Sequence, residues 1–126
     1  MLTIRNVSKT FNKGTINQKQ ALNRVNLELQ EGDFVTIIGS NGAGKSTLLN
    51  AVAGVFPVDE GQIFIDGQDI TPLPAYKRAS LISRVFQDPM LGTAASMTIE
   101  ENMVMAMRRG QPRRLRRAIT AKERAW

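Results

Sequence analysis

The chain reads as an α/β protein, and three features of its sequence predict this. Residues 34–38, Phe-Val-Thr-Ile-Ile, form a short apolar, β-branched run between turn signals. A glycine-rich stretch follows at once, and beyond it Leu48, Leu49 and Val52 recur at helical spacing. Ahead of this, two segments alternate apolar and polar residues with a period of two. These patterns predict a strand buried on both faces, leading through a tight loop into a helix, with an antiparallel edge beside it.

Taken in order, Leu2-Thr3-Ile4-Arg5-Asn6-Val7 is the first half-exposed strand, and residues 12–20 are polar and contain Gly14, which predicts a loop. Alternation resumes at Val25, Leu27 and Leu29, a second strand, and Glu31-Gly32-Asp33 turns the chain. After the buried strand at 34–38, the helix opened by the glycine loop stops at Gly54. Gln62-Ile63-Phe64-Ile65 is a further strand ended by the Asp66-Gly67 turn. Pro74 opens a short helix over 75–79, because its fixed φ suits a first helical position. Residues 81–86 predict another core strand, which leaves through Gln87-Asp88-Pro89. Thr98 and Glu101 form a capping box at the head of a helix over 98–109, and residues 113–126 also read as helical.

Composition narrows the chemistry. With 126 residues there is room for one domain, with a core that needs no disulfide or structural metal. The chain has no cysteine and no histidine, so thiolate nucleophiles, Cys/His zinc sites and imidazole bases are excluded. No stretch approaches the roughly 18 apolar residues of a membrane span. The first residues also lack the apolar core of a secretory signal, so a soluble cytoplasmic protein is expected. The net charge of +6 is local: residues 1–107 carry nine Lys/Arg against ten Asp/Glu, and residues 108–126 carry eight against one. Such a run reads as a solvated helix face or tail, with contact to an anionic membrane or nucleic acid as the sharper alternative.

The chemistry is concentrated in Gly39-Ser40-Asn41-Gly42-Ala43-Gly44-Lys45-Ser46, which matches G-x-x-x-x-G-K-[S/T] in full. Glycines at 39, 42 and 44 let the backbone adopt unusual dihedrals and approach a ligand without a Cβ in the way. Amides of residues 42–47 then converge as a nest at a helix N-terminus, where a triphosphate is attracted. Lys45 supplies a point charge between the β- and γ-phosphates, Ser46 offers a hydroxyl to Mg²⁺, and Thr47 faces the α-phosphate side. A turn that merely capped a helix would need one glycine rather than three with Lys-Ser at this spacing.

The neighbouring residues narrow the motif. The loop with Thr47-Leu48-Leu49, then Gly54, Gly61-Gln62-Ile63, Asp66-Gly67 and Val85-Phe86-Gln87-Asp88-Pro89, resembles the ATP-binding subunit of ABC transporters. The opening residues up to Phe11 are similar to that family's first strand and adenine-stacking aromatic. The resemblance implies a P-loop NTPase fold of the ABC ATPase type, with an antiparallel β edge, parallel core strands and the start of a helical subdomain. It implies a division into residues 1–92, the nucleotide-binding core, and 93–126, the start of that subdomain. Phe11 would stack on adenine, and Gln87 would reach Mg²⁺ or the attacking water. Lys45 and Gln87 are the catalytic candidates, Ser46 and Gln87 the metal candidates, and ATP with Mg²⁺ the ligands.

By the same resemblance, the partners are transmembrane permease subunits, a second ATPase subunit in a head-to-tail dimer, and for an importer a solute-binding protein. The setting is the inner face of the cell membrane. A non-transport ABC ATPase acting on nucleic acid or ribosomes is the alternative, although the balanced charge of residues 1–107 argues against a nucleic-acid partner. A different P-loop enzyme would leave the match at 85–89 a coincidence, and no Asn-Lys-x-Asp guanine-reading motif follows the loop. The family's Leu-Ser-Gly-Gly-Gln signature, acidic Walker B strand and switch histidine are missing from these 126 residues. Weak nucleotide binding with negligible hydrolysis is therefore expected of this chain alone, together with an under-covered sheet face and either marginal stability or a partner chain that completes it.

Overall fold

A computed structural model of the chain describes residues 1–112, 119 and 121–124. The chain divides into two compact units, Met1–Leu81 and Ile82 onward, which are described separately. In the first unit, β1 (Leu2–Phe11) pairs with β2 (Lys19–Leu29) and with β3 (Glu60–Ile65), and β3 pairs with the two-residue β4 (Gln68–Asp69). The order is β2-β1-β3-β4, with every neighbour antiparallel. Two helices complete the unit: α1 (Lys45–Ala53) and α2 (Ala75–Arg78). The second unit holds a 3₁₀ turn at Pro89–Gly92, α3 (Ile99–Met107) and α4 (Ala121–Arg124).

A bulge in β1 decides which side chains enter the core. Strict alternation would turn Asn6 inward after Ile4, yet Asn6 is exposed and the buried apolar side chains of the strand are Ile4 and Val7. Asn6 takes a left-handed φ of 49°, and the register with β2 shifts between Ile4 and Val7. The Asn26 side chain holds this kink, its Oδ1 accepting from the Asn6 amide at 3.0 Å and its Nδ2 donating to Asn6 Oδ1 at 3.2 Å. Across the sheet Gly61 sits against the bulge, where a Cβ would come within 2.5 Å of the Arg5 and Asn6 carbonyls. Val7 thereby joins Ile4, Leu22, Ala51, Ile63 and Ile70 in the buried core.

The capping box of α3 forms as the sequence predicts: Thr98 Oγ1 accepts from the Glu101 amide and Glu101 Oε2 from the Thr98 amide. Gly54 ends α1 in the left-handed conformation, φ 81°. The parallel core does not follow expectation. Among the described residues neither 34–38 nor 81–86 joins a ladder, and Phe34, Ile38 and Val85 are 93%, 90% and 97% exposed. The reason is that a strand is a property of a pair: an apolar run marks a segment suited to a sheet, but only a neighbour's N–H and C=O groups make it one. The helix expected over 113–126 falls mainly on residues outside those described, as does most of the basic run.

Candidate functional site

The glycine loop wraps the head of α1. Gly42 and Gly44 have φ of 83° and 94°, the left-handed conformations for which glycine is suited. At Gly44 the need is also steric, because a Cβ would lie 2.7 Å from the carbonyl oxygen of Ala21 in β2. The loop is thus pressed against the hairpin, and α1 starts from a fixed point. Gly44 is its N-cap and provides no side-chain acceptor, and the first turn carries no acid. The amides at the start of α1 therefore keep their capacity to receive an anion.

The loop is organised by its own lysine. Lys45 Nζ donates to the carbonyls of Gly39 and Ser40, the latter at 2.8 Å. Ser40 also accepts from the Ala43 amide at 3.1 Å. An ammonium held by two neutral carbonyls is well placed to exchange them for a phosphate, since the charge-assisted contact is the stronger.

Residues 41–47, with Phe11, Lys19 and Ala21, line a cleft of about 210 Å³. Of the expected ligands, Phe11, Asn41, Gly42, Ala43, Gly44, Lys45, Ser46 and Thr47 meet there. Gly39 and Ser40 contribute from outside the lining, through the carbonyls that hold Lys45. Gln87 is exposed and belongs to the second unit, next to Asp88, whose Oδ1 caps the 3₁₀ turn by accepting from the Met90 amide at 2.9 Å.

Phe11 is braced rather than free. Phe56 meets it edge to face at 5.2 Å between centroids, and Lys9 Nζ lies 5.4 Å and 5.2 Å from the two rings. Lys9 also donates to the Pro57 carbonyl at 3.0 Å and pairs with Asp59 at 3.6 Å. Asp59 Oδ2 accepts from the Thr10 amide at 2.7 Å and pairs with Lys13 at 3.3 Å. That amide bond, helped by the two lysines and opposed by burial, holds the Asp59 carboxyl below its ordinary range.

The far end of α1 is closed by Arg78, which is only 3% exposed. Its Nη1 donates to the carbonyls of Ala51 (2.9 Å) and Val52 (3.1 Å), its Nη2 to Thr71 (2.9 Å) and its Nε to Leu73 (2.8 Å). Burial lowers its pKa, and the nearby Asp69 charge opposes that effect. A buried cation at this end matches the negative pole of the helix whose positive pole faces the cleft.

Sequence reasoning missed Lys19, Ala21 and Arg78. The first two fell in or beside a segment read as loop, although β1 and β2 continue to a Phe11–Lys19 pair. Nothing local marks Arg78: its partners lie up to 27 residues away.

The sequence profile of the ABC transporter family matches residues 22–125. A tyrosine transport ATP-binding protein of Clostridioides difficile is 43% identical over 122 residues, which is 97% of this chain and 49% of that protein. The probable branched-chain amino acid transport ATP-binding protein LivG of Archaeoglobus fulgidus is 39% identical over 107 residues, 84% of this chain and 39% of that one. The chain thus spans half or less of the length of these relatives. Among solved structures, the dimeric bacterial ABC transporter cassette MJ0796 superposes with a TM-score of 0.77 at 31% identity, covering 98% of this chain and 52% of that one. A post-hydrolysis dimer of the same cassette, bound to ADP and Pi, gives 0.76 at 29% identity, with the same coverage.

Proposed function

The chain belongs to the ABC transporter family, and from that premise we propose that it is the ATP-binding part of a transporter that couples ATP binding and hydrolysis to solute movement. The observation that carries this reading is the single cleft in which Phe11 faces the uncapped, glycine-lined head of α1. Phe11 offers a π face to adenine, the amides of residues 42–47 receive the phosphates, and Lys45 turns from its carbonyls to the β- and γ-phosphates. The Ser46 hydroxyl is exposed in the first turn of α1, an oxygen donor of the kind Mg²⁺ accepts beside phosphate and water. Gln87 is proposed as a further Mg²⁺ ligand on the family resemblance alone; the ion would neutralise phosphate charge.

For the assembled protein the proposed partners are transmembrane permease subunits, a second ATPase subunit arranged head to tail, and a solute-binding protein if transport is inward. No helix among the described residues is long and apolar enough to cross a membrane; attachment to the inner face of the cell membrane is proposed to come through the permease. Residues 1–92 are proposed as the nucleotide-binding core and those from 93 as the start of a helical subdomain. Both relatives above are named for amino-acid transport, which makes an amino acid the first cargo class to test.

Displacement of a fluorescent ATP analogue from the purified chain by Mg-ATP tests the reading. Displacement by ATP and its loss in Lys45→Met are expected. A chain that ignores ATP, or that binds nucleic acid with strong salt dependence in its place, overturns the proposal.

A further inference from the structure

Lys19 lies outside the glycine-loop motif, yet it shares the cleft wall with it. It is the cross-strand partner of Phe11 at the loop end of the β1–β2 hairpin, so the ladder register makes the two residues neighbours, and both line the cleft. Its Nζ donates 3.2 Å to the carbonyl of Gly42, the residue whose φ of 83° turns the loop. A Cβ on Gly42 would meet that nitrogen at 3.5 Å, an ordinary van der Waals contact, so it is the positive φ and not the ammonium that asks for glycine there.

We propose that Lys19 is a second phosphate-binding cation of this cleft, serving the α-phosphate. This rests on the nucleotide-site reading above. If adenine lies on Phe11 and the β- and γ-phosphates lie at Lys45 and the head of α1, the groups spanning the gap are the ribose and the α-phosphate. Lys19 borders that gap. Its present acceptor is a neutral carbonyl on an exposed loop, a weaker partner than a phosphate oxygen. Lys19 also ties the loop to the strand that carries its neighbour across from the base. Exchange of the Gly42 carbonyl for an α-phosphate oxygen would therefore transmit nucleotide arrival to the loop, as the exchange at Lys45 does from the other side.

The test is displacement of a fluorescent ATP analogue by ATP and by ADP from the unaltered chain and from Lys19→Met, Lys19→Arg and Lys45→Met. Lys19→Met is expected to weaken ATP and ADP by the same factor, about tenfold, because both carry the α-phosphate. Lys19→Arg keeps the charge and is expected to stay within about threefold of the unaltered chain. Unchanged ATP affinity in Lys19→Met, a loss confined to ATP, or an equal loss in Lys19→Arg would each overturn the role of Lys19. If Lys19→Met fails to fold, Lys19→Glu replaces it, and ATP affinity within twofold of the unaltered chain overturns the role. Failure of the unaltered chain to bind ATP, or unchanged ATP affinity in Lys45→Met, would instead overturn the nucleotide-site reading itself; ATP binding that Lys45→Met loses and Lys19→Met keeps overturns the role of Lys19 alone.

Discussion

Arg78 Nη1 sits 2.9 Å from the carbonyl oxygen of Ala51, a bond that ties the end of α1 to a residue 27 positions later in the chain. The same guanidinium reaches Val52, Thr71 and Leu73, so one buried side chain satisfies four carbonyls. It also explains Gly54: a Cβ there would lie 3.0 Å from Arg78 Nε.

Replacing Arg78 with Met is expected to destabilise the chain by about 3 kcal/mol, since buried carbonyls lose their donors. Lysine is expected to rescue little, because three donors on one nitrogen do not reproduce the planar fork. Urea denaturation of both variants checks this, and a loss below about 1 kcal/mol in Arg78→Met would contradict the role given to the guanidinium.

Gly44→Ala and Gly14→Ala separate two kinds of glycine. Both positions have positive φ, 94° and 73°, but a Cβ at 14 meets nothing within 4 Å whereas one at 44 meets the Ala21 carbonyl at 2.7 Å. Gly14→Ala is expected to cost about 1 kcal/mol from backbone conformation alone. Gly44→Ala is expected to cost more than about 2 kcal/mol and to abolish ATP binding, as read by thermal melts with and without nucleotide.

Phe11→Ala is expected to weaken ATP about tenfold by removing the stacking face, while inorganic tripolyphosphate binds as before. Phe56→Ala removes the edge-to-face brace at 5.2 Å and is expected to give a smaller loss of the same kind. Competition titrations with the two ligands measure the split, and an equal loss for both would assign Phe11 to the core rather than to the base.

Asp59 gives the chain an acid sensitivity. Its folded pKa is depressed, chiefly by the Thr10 amide, so its stabilising contribution is present above the unfolded value near 4 and is lost as pH falls through the folded value. Asp59→Asn is expected to be less stable than the unaltered chain at pH 7 and to lose less stability below about pH 4. Denaturation midpoints across that range check the sign.

Hydrolysis is a separate matter from binding. The sequence has no histidine and no Leu-Ser-Gly-Gly-Gln, and we propose that the residues present do not by themselves position a water, a metal and compensating charge together. Turnover by these 126 residues is expected well below about 1 s⁻¹, and phosphate release at or above that rate would contradict it.

The sequence by itself determined the local features whose physics is local. The glycine loop at 39–44, the caps at Thr98 and Gly54 and the Asp66-Gly67 turn each depend on residues within a few positions of one another. Tertiary structure decided whatever needs a partner far along the chain. The bulge at Asn6 put Val7 in the core only because Asn26 and Gly61 accommodate it. The ladder register set Lys19 beside Phe11, and the closing of the chain on itself buried Arg78 at the end of α1. The runs at 34–38 and 81–86 show the same limit from the other side, for their apolar, β-branched pattern records suitability for a sheet. Only a neighbour with free N–H and C=O groups turns that suitability into a strand.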